Sequence, residues 1–383
     1  MRNALLLLLL LLGLAPPAHA YAWMVKHGYT SCAACHADPS GGGLLTPYGR
    51  AQSEILLSTR FGSSSSQEAS PSSNFLWNAL SLPDWVLAGG DVRGLALATK
   101  IDGGPTSYDL ILMQADLAAE VRKGGFRASA SVGVVTSDGS RAAIAGNVIS
   151  REHWLGYSFG DDSFLLRAGR INVPFGQRSI EHTLYVRQTT RTDTNDTQEH
   201  GVALAYTGET LRAEVMAILG NYQISPDSHR ERGYSGTLEL ALSTHAAIGV
   251  SSLITHAADD LYLRVPNTRQ AHGAFARWAP WTKLVLMTEV DFVASSPDGA
   301  PSQTGLATMV QADYEYIQGL HFILTGETKD PGQQGISAGG WLTAAWFIAP
   351  HFDIRADLME RSEMVGSARY AVLAYMAQGH VYF

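Results

Sequence analysis

From about Asn74 to the C-terminus, apolar and polar positions alternate in segments of roughly ten residues separated by turn residues. Within 114–122, Gln114, Asp116, Glu120 and Arg122 alternate with Ala115, Leu117, Ala119 and Val121. Within 282–292, Leu284, Leu286, Val290 and Phe292 oppose Lys283, Glu289 and Asp291. Within 351–361, Phe352, Ile354, Ala356 and Leu358 oppose Asp353, Arg355 and Asp357. A period of two gives a strand one face suited to lipid and one suited to water. Sixteen such strands are expected, beginning near Trp85, Tyr108, Gly125, Arg151, Ser163, Gly201, Thr210, Gly233, Ala246, Ala271, Thr282, Gly305, Gly319, Gly340, His351 and Arg369. The pattern predicts an all-β fold, a transmembrane antiparallel β-barrel of about 16 strands over residues 75–383.

The connections carry the same message. Short turns are expected at Lys123-Gly124, Asp161-Asp162, Gly208-Glu209, Thr244-His245, Ala279-Pro280-Trp281, Ile317-Gln318 and Ala349-Pro350. Longer connections fall between them at 172–200, 219–232, 257–270 and 329–339. Short periplasmic turns and longer external loops are the habit of outer-membrane barrels. The final strand, 369–383, sets Leu373, Tyr375, Ala377, Val381 and Phe383 on one face. Trp154, Tyr157, Trp278, Trp281, Trp341, Trp346 and Tyr370 stand near predicted strand ends, where an aromatic girdle belongs. An even strand number returns both barrel ends to one side, predicted to be periplasmic. His321 and His380 are expected in the lumen near that side, as water-exposed residues or as contacts of the N-terminal segment. A soluble sandwich would not need the loop rhythm, and a solenoid would show a repeat that this chain lacks.

The N-terminus follows a different logic. Arg2 precedes an unbroken leucine run at 5–12, Gly13 to Pro17 break the helix, and Ala18-His19-Ala20 is a small-x-small cleavage pattern. Residues 1–20 therefore read as a signal peptide, because a membrane span needs about 20 apolar residues and this run is near half that length. The net charge of −8 and the lack of a basic cluster argue against a nucleic-acid partner. The chain has 2 cysteines, three positions apart, so an export-dependent disulfide framework is excluded.

Both cysteines belong to Cys32-Ala33-Ala34-Cys35-His36. Two thiols that add across porphyrin vinyl groups, with a histidine reaching the iron, define a c-type haem attachment site. One covalent haem c is expected on Cys32 and Cys35, with His36 as the proximal iron ligand. A thioredoxin-like dithiol would open a helix in a βαβ unit, and a zinc half-site would need a second ligand pair. For the distal metal position, His27 and Met24 lie just upstream, and a barrel histidine or an open site are the alternatives. Thr46 followed by Pro47 predicts the start of a short amphipathic helix reaching Leu57, and Arg50 is either a propionate partner or a surface residue. The haem segment, 21–61, is too small to hold a core of its own, and a Ser-rich linker follows at 62–74.

This order of parts resembles the fused outer-membrane cytochrome c–porin family, a monohaem c-type domain plus β-barrel, similar to bacterial outer-membrane iron oxidases. The family pattern is C-x-x-C-H, a nearby proline, and Leu-Thr-x-x-Gly-Arg. Here it reads Cys32 to His36, Pro39, and Leu45-Thr46-Pro47-Tyr48-Gly49-Arg50. Two departures are present: Gly41-Gly42-Gly43 lengthens the spacing, and Ala51-Gln52-Ser53 replaces an aromatic-lysine segment. The resemblance implies location in the bacterial outer membrane, with the haem segment starting on the periplasmic side. It further implies electron transfer between an extracellular redox substrate, Fe(II) among them, and a periplasmic c-type cytochrome or other redox carrier. The alternative is a solute porin with a periplasmic haem sensor or docking module, for which Asp116, Glu120, Arg355 and Asp357 are equally suited. A haem enzyme is disfavoured, because no acid–base set accompanies the motif. The position of the haem segment relative to the lumen separates the first two readings.

Overall fold

The computed structural model describes residues 22–29, 31–33, 35–59, 75–134, 148–179, 181, 183–192, 197–221, 229–332 and 335–383. The expected signal peptide and Ser-rich linker lie outside them. The strands are β1 (Val86–Ile101), β2 (Thr106–Lys123), β3 (Phe126–Val134), β4 (Val148–Ile149), β5 (His153–Phe159), β6 (Phe164–Ile171), β7 (Glu199–Thr207), β8 (Leu211–Gly220) and β9 (Glu231–Ser243). They continue as β10 (Ala246–Ala257), β11 (Asn267–Trp281), β12 (Leu284–Pro297), β13 (Gln303–Ile317), β14 (Leu320–Asp330), β15 (Ser337–Ala349), β16 (Phe352–Val365) and β17 (Ala368–Tyr382). Neighbours in sequence pair antiparallel, and β1 pairs with both β2 and β17, so the sheet closes on itself. The two-residue β4 pairs with β3 just before β5 does, and the wall is a closed 16-strand barrel.

Every expected strand is present in order. Boundaries moved most where polar residues continue the ladder. β11 starts at Asn267 rather than Ala271, because Asn267, Thr268 and Arg269 already pair with β12 before the apolar alternation sets in. The expected turn at Ala279-Pro280-Trp281 is instead an irregularity within β11, whose register shifts between Trp278 and Trp281, and the chain reverses at residues 282–283. The other short turns stand within one or two residues of their expected positions.

The burial pattern is that of a soluble protein turned outward. Asp116 and Glu120 are buried inside the barrel, while Leu117 and Val121 are exposed outside. His321, Thr325 and Glu327 face in, and Phe322 and Leu324 face out, as expected. The girdle needs correction at two positions. Tyr157, Trp278, Trp281 and Tyr370 are exposed on the outer face, but Trp154 and Trp341 point inward. Strand parity decides this, because Leu155 and Leu342 occupy the outward positions beside them. Inside, the Trp341 indole donates to Glu327 at 2.7 Å, and Arg167 lies over the Trp154 ring.

Among the described residues, two chain segments fill the interior. The long connection from β6 to β7 turns into the lumen and carries a short helix, Tyr185–Thr190. Leu184 and Val186 bury against Ala307, Met309 and Trp341. Tyr185 donates its N–H to Glu327 and its hydroxyl to Glu363, both at 2.7 Å. The second filling segment is the N-terminal one. The C-terminal Phe383 exchanges backbone hydrogen bonds with Gly90 at 2.9 and 3.0 Å, which ties the chain end to β1.

Candidate functional site

Residues 22–59 occupy the short-turn end of the lumen. Ala22–His27 forms a 3-10 turn against β11 and β12. Met24, Val25 and Leu57 bury with the inward-facing Ala279, Val285 and Met287. Burying such side chains contributes roughly 1.5–3 kcal/mol each, so this contact can hold a segment without a core of its own. Lys26 reaches Glu315 at 2.8 Å, His351 meets Glu54 at 3.1 Å, and the Thr59 N–H donates to Phe347 O at 2.8 Å.

Cys35 and His36 turn back onto Cys32. The N–H groups of Cys35 and His36 both donate to Cys32 O, at 3.2 and 3.0 Å. The chain then turns through Gly41, Gly42 and Gly43, all at positive φ, and returns so that Thr46 N–H donates to Cys35 O at 2.8 Å. Glycine is needed at such angles because a Cβ would clash with the backbone. As expected, Thr46 caps a helix, α1 (Pro47–Gln52): its side chain accepts from Gly49 N–H at 3.1 Å, and Pro47 takes the first helical position. The helix continues as a π turn to Leu57. Gly49 packs directly on the motif, since a Cβ there would lie 2.4 Å from Cys35 O. Arg50 is buried and donates to Ala88 O on β1, so it moors the helix to the wall and is neither a surface residue nor placed at the motif's cavity.

The loop after His36 is clasped by charge. Asp38 is buried against Arg167 at 3.1 Å, accepts from Asn172 at 3.0 Å and from Ser40 N–H at 2.9 Å, and Arg178 donates to Ser40 Oγ at 2.8 Å. Burial alone would raise the Asp38 carboxyl, but the Arg167 and Arg178 guanidiniums and these donors hold it at about 2. Burial pushes both thiols up, Cys35 to about 12, and pushes the His36 imidazole down.

Cys32 and His36 line a cavity of about 610 Å³ that climbs the inner wall of β1 from Asp91 to Thr99. Eight residue steps of strand correspond to about 27 Å. Its volume lies in the usual range of cofactor pockets, roughly 300–1,000 Å³. Leu44, Leu95, Leu97 and Ile111 offer apolar surface, while Arg93, Arg151 and Arg178 offer cations. The donor set fits a c-type haem: a thiol and an imidazole on one turn, an apolar chamber beside them, and guanidiniums for carboxylates. Cys35 takes another position, lining a small cavity with Met24, Gly49 and Leu57, and Leu45 borders both spaces.

Neither Met24 nor His27 lines the large cavity beside His36. Met24 lies beside Cys35 in the small cavity. His27 stands near Glu315, where burial and the Lys26 charge lower it to about 4. Lys26 is the nearer partner of that carboxylate, at 2.8 Å against 3.9 Å for His27. The two barrel histidines do face inward, though not as open-water residues. His321 is buried with Nδ1 2.8 Å from Asp313, and His380 lines the large cavity with its nitrogens 2.8 Å from Asp353 and 3.1 Å from Asp91. Sequence reasoning passed over Arg167, Asn172 and Arg178, because an inward charge on a strand or a polar residue in the connection after it has no mark of its partner.

Neither a protein-family model nor a curated protein matches this sequence. Solved structures do. OmpT, an outer-membrane protein of Vibrio cholerae, matches with a TM-score of 0.60 at 9% identity, over 79% of this chain and 99% of that one. The outer membrane channel DcaP of Acinetobacter baumannii matches with 0.58 at 13%, over 78% and 97%. An anion-selective porin from Comamonas acidovorans matches with 0.59 at 12%, over 78% and 99%. At such identities the likeness concerns architecture, and in architecture this chain is a porin-like β-barrel.

Proposed function

We propose that this chain is an outer-membrane c-type cytochrome–porin that carries electrons across the membrane through a haem held in its lumen. The observation that carries the reading is the lodging of the Cys32–His36 turn inside the barrel, facing the large cavity. A sensor or docking module would hang outside the lumen, so this placement favours electron transfer over the solute-porin alternative. The outward apolar face suits lipid, and the matched outer-membrane proteins support that membrane as the location. The short-turn end is assigned to the periplasm, where a c-type cytochrome or another redox carrier would meet the haem segment. The long-loop end is assigned to the exterior, where Fe(II) or another redox substrate would arrive.

Cys32 and Cys35 would hold the haem by thioether bonds, and His36 would ligate its iron. When bound, haem c supplies a one-electron couple tuned by its axial ligands and by burial. Cys35 must then turn from its place beside Gly49 toward the large cavity. The Asp38 clasp fixes the loop, and Arg93, Arg151 and Arg178 offer charge to the propionates.

Proteoliposomes that enclose an oxidised c-type cytochrome and are bathed in Fe(II) test the reading. The trapped cytochrome is expected to be reduced with the intact protein and not with Cys32→Ala/Cys35→Ala. Equal rates for both would mean that iron simply diffuses through, as in a solute porin.

A further inference from the structure

We infer that Met113, on the barrel wall, supplies the sixth haem ligand; this rests on the haem reading above. The register between β1 and β2 shifts at one place. Arg93 pairs with Gln114, but Gly94 pairs with Leu112, which leaves Met113 as an extra residue in β2. Below this bulge Gln114, Asp116 and Ala118 line the large cavity, and above it Ile111 and Met113 do. The irregularity thus turns Met113 inward beside Gln114, where strict alternation would have pointed it at lipid. Bulges of this kind re-aim a side chain and gather next to functional sites.

The level is right as well. His36 and Asp91 line the same cavity, and Ala37, next to His36, buries with Leu87 on β1 and packs against Ala118 on β2, so the His36 turn sits at the Leu87–Asp91 tier of the wall. Asp91 pairs with Asp116 and Arg93 with Gln114, which puts Met113 about one inward-facing step, roughly 7 Å of strand, above that tier. Other soft or nitrogen donors on the cavity are worse placed. Met376 pairs with Leu97, and Met359 pairs with Ala374, which faces Thr99, so they stand two and three inward steps above Arg93. His380 has both ring nitrogens against carboxylates and would have to abandon one. Met24 belongs to the small cavity with Cys35. A methionine is unbranched and adaptable, and a His/Met pair raises the potential of a c-type haem.

The test uses the full haem-loaded protein and two readouts. Haem staining on a denaturing gel reports attachment, and near-infrared magnetic circular dichroism reports the axial ligands. The intact protein is expected to show the thioether-to-ferric-iron band, Met113→Leu to lose it with staining unchanged, and Met113→His to give a bis-histidine spectrum. Met24→Leu and Met376→Leu should keep the band. If Met113→Leu fails to fold, judged by heat-modifiable migration, the Met113→His spectrum decides. The inference is overturned if the intact protein lacks the band, if Met113→Leu retains it, or if Met24→Leu or Met376→Leu abolishes it. Absence of staining in the intact protein is a different failure, that of the haem reading itself.

Discussion

Deletion of residues 21–61 is expected to turn a nearly closed barrel into an open channel, raising single-channel conductance in planar bilayers several-fold. Barrels of 16–18 strands enclose an aqueous passage unless something fills it. Here the short-turn end is filled by residues 22–59, through Met24, Val25 and Leu57 against the wall and Lys26 on Glu315. The space beyond is already connected, since the cavity beside His36 reaches Thr99 on β1 and Arg361 on β16. The groups uncovered by the deletion, such as Glu315, His351 and Arg167, would be bathed in lumenal water, so the wall itself should persist. Heat-modifiable migration on gels checks that. An unchanged conductance in a folded deletion variant would mean that the segment does not block the passage.

The second large effect is expected at Arg167. This guanidinium is fully buried and serves two carboxylates, Asp38 from the loop after His36 and Glu214 from β8. Arg167→Met keeps bulk but leaves both acids without their main counter-ion. Breaking a buried pair by removing one partner costs about 3–5 kcal/mol, because an uncompensated charge stays behind. Glu214 stays held in β8 by its ladders to β7 and β9, whereas Ser40 belongs to the loop itself and leaves Asp38 with Asn172 as its hydrogen-bonded link to the wall, so release is expected at the loop rather than in the barrel. The haem segment should then be released far more often, and limited proteolysis should free a haem-stained N-terminal fragment that the parent protects. Arg167→Lys retains a charge without the planar fork and should fall between the two. Equal protection in the parent and Arg167→Met would show that Asp38 does not hold the segment.

Much of the wall was legible because a two-residue period is set by lipid outside and water inside, as at Asp116/Leu117 and Arg355/Ala356. The Thr46-Pro47 helix start was legible for a local reason, a cap and a preset φ. What escaped were the contacts between distant positions. Lys26 with Glu315, Asp38 with Arg167 and Glu54 with His351 join the first sixty residues to strands, and to the turn before β16, over a hundred positions away. On the strand each partner looks like any lumenal charge. Trp154 and Trp341 misled because an aromatic near a strand end suits a girdle only when its parity points outward, and their partners Arg167, Glu327 and Arg361 lie inside. Met113 escaped for the opposite reason, since the alternation of Gln114 and Asp116 implies an outward residue at 113 unless the strand bulges.

The most direct measurement is acid-acetone extraction of the purified mature protein, followed by haem staining on a denaturing gel. Cys32 and Cys35 are the two cysteines of the chain, and neither is in a disulfide. Staining should survive extraction in the intact protein and vanish in Cys32→Ala/Cys35→Ala, while both proteins retain heat-modifiable barrel migration. Colour stripped from the intact protein by extraction, or staining retained by the double variant, would contradict a covalent haem at this turn.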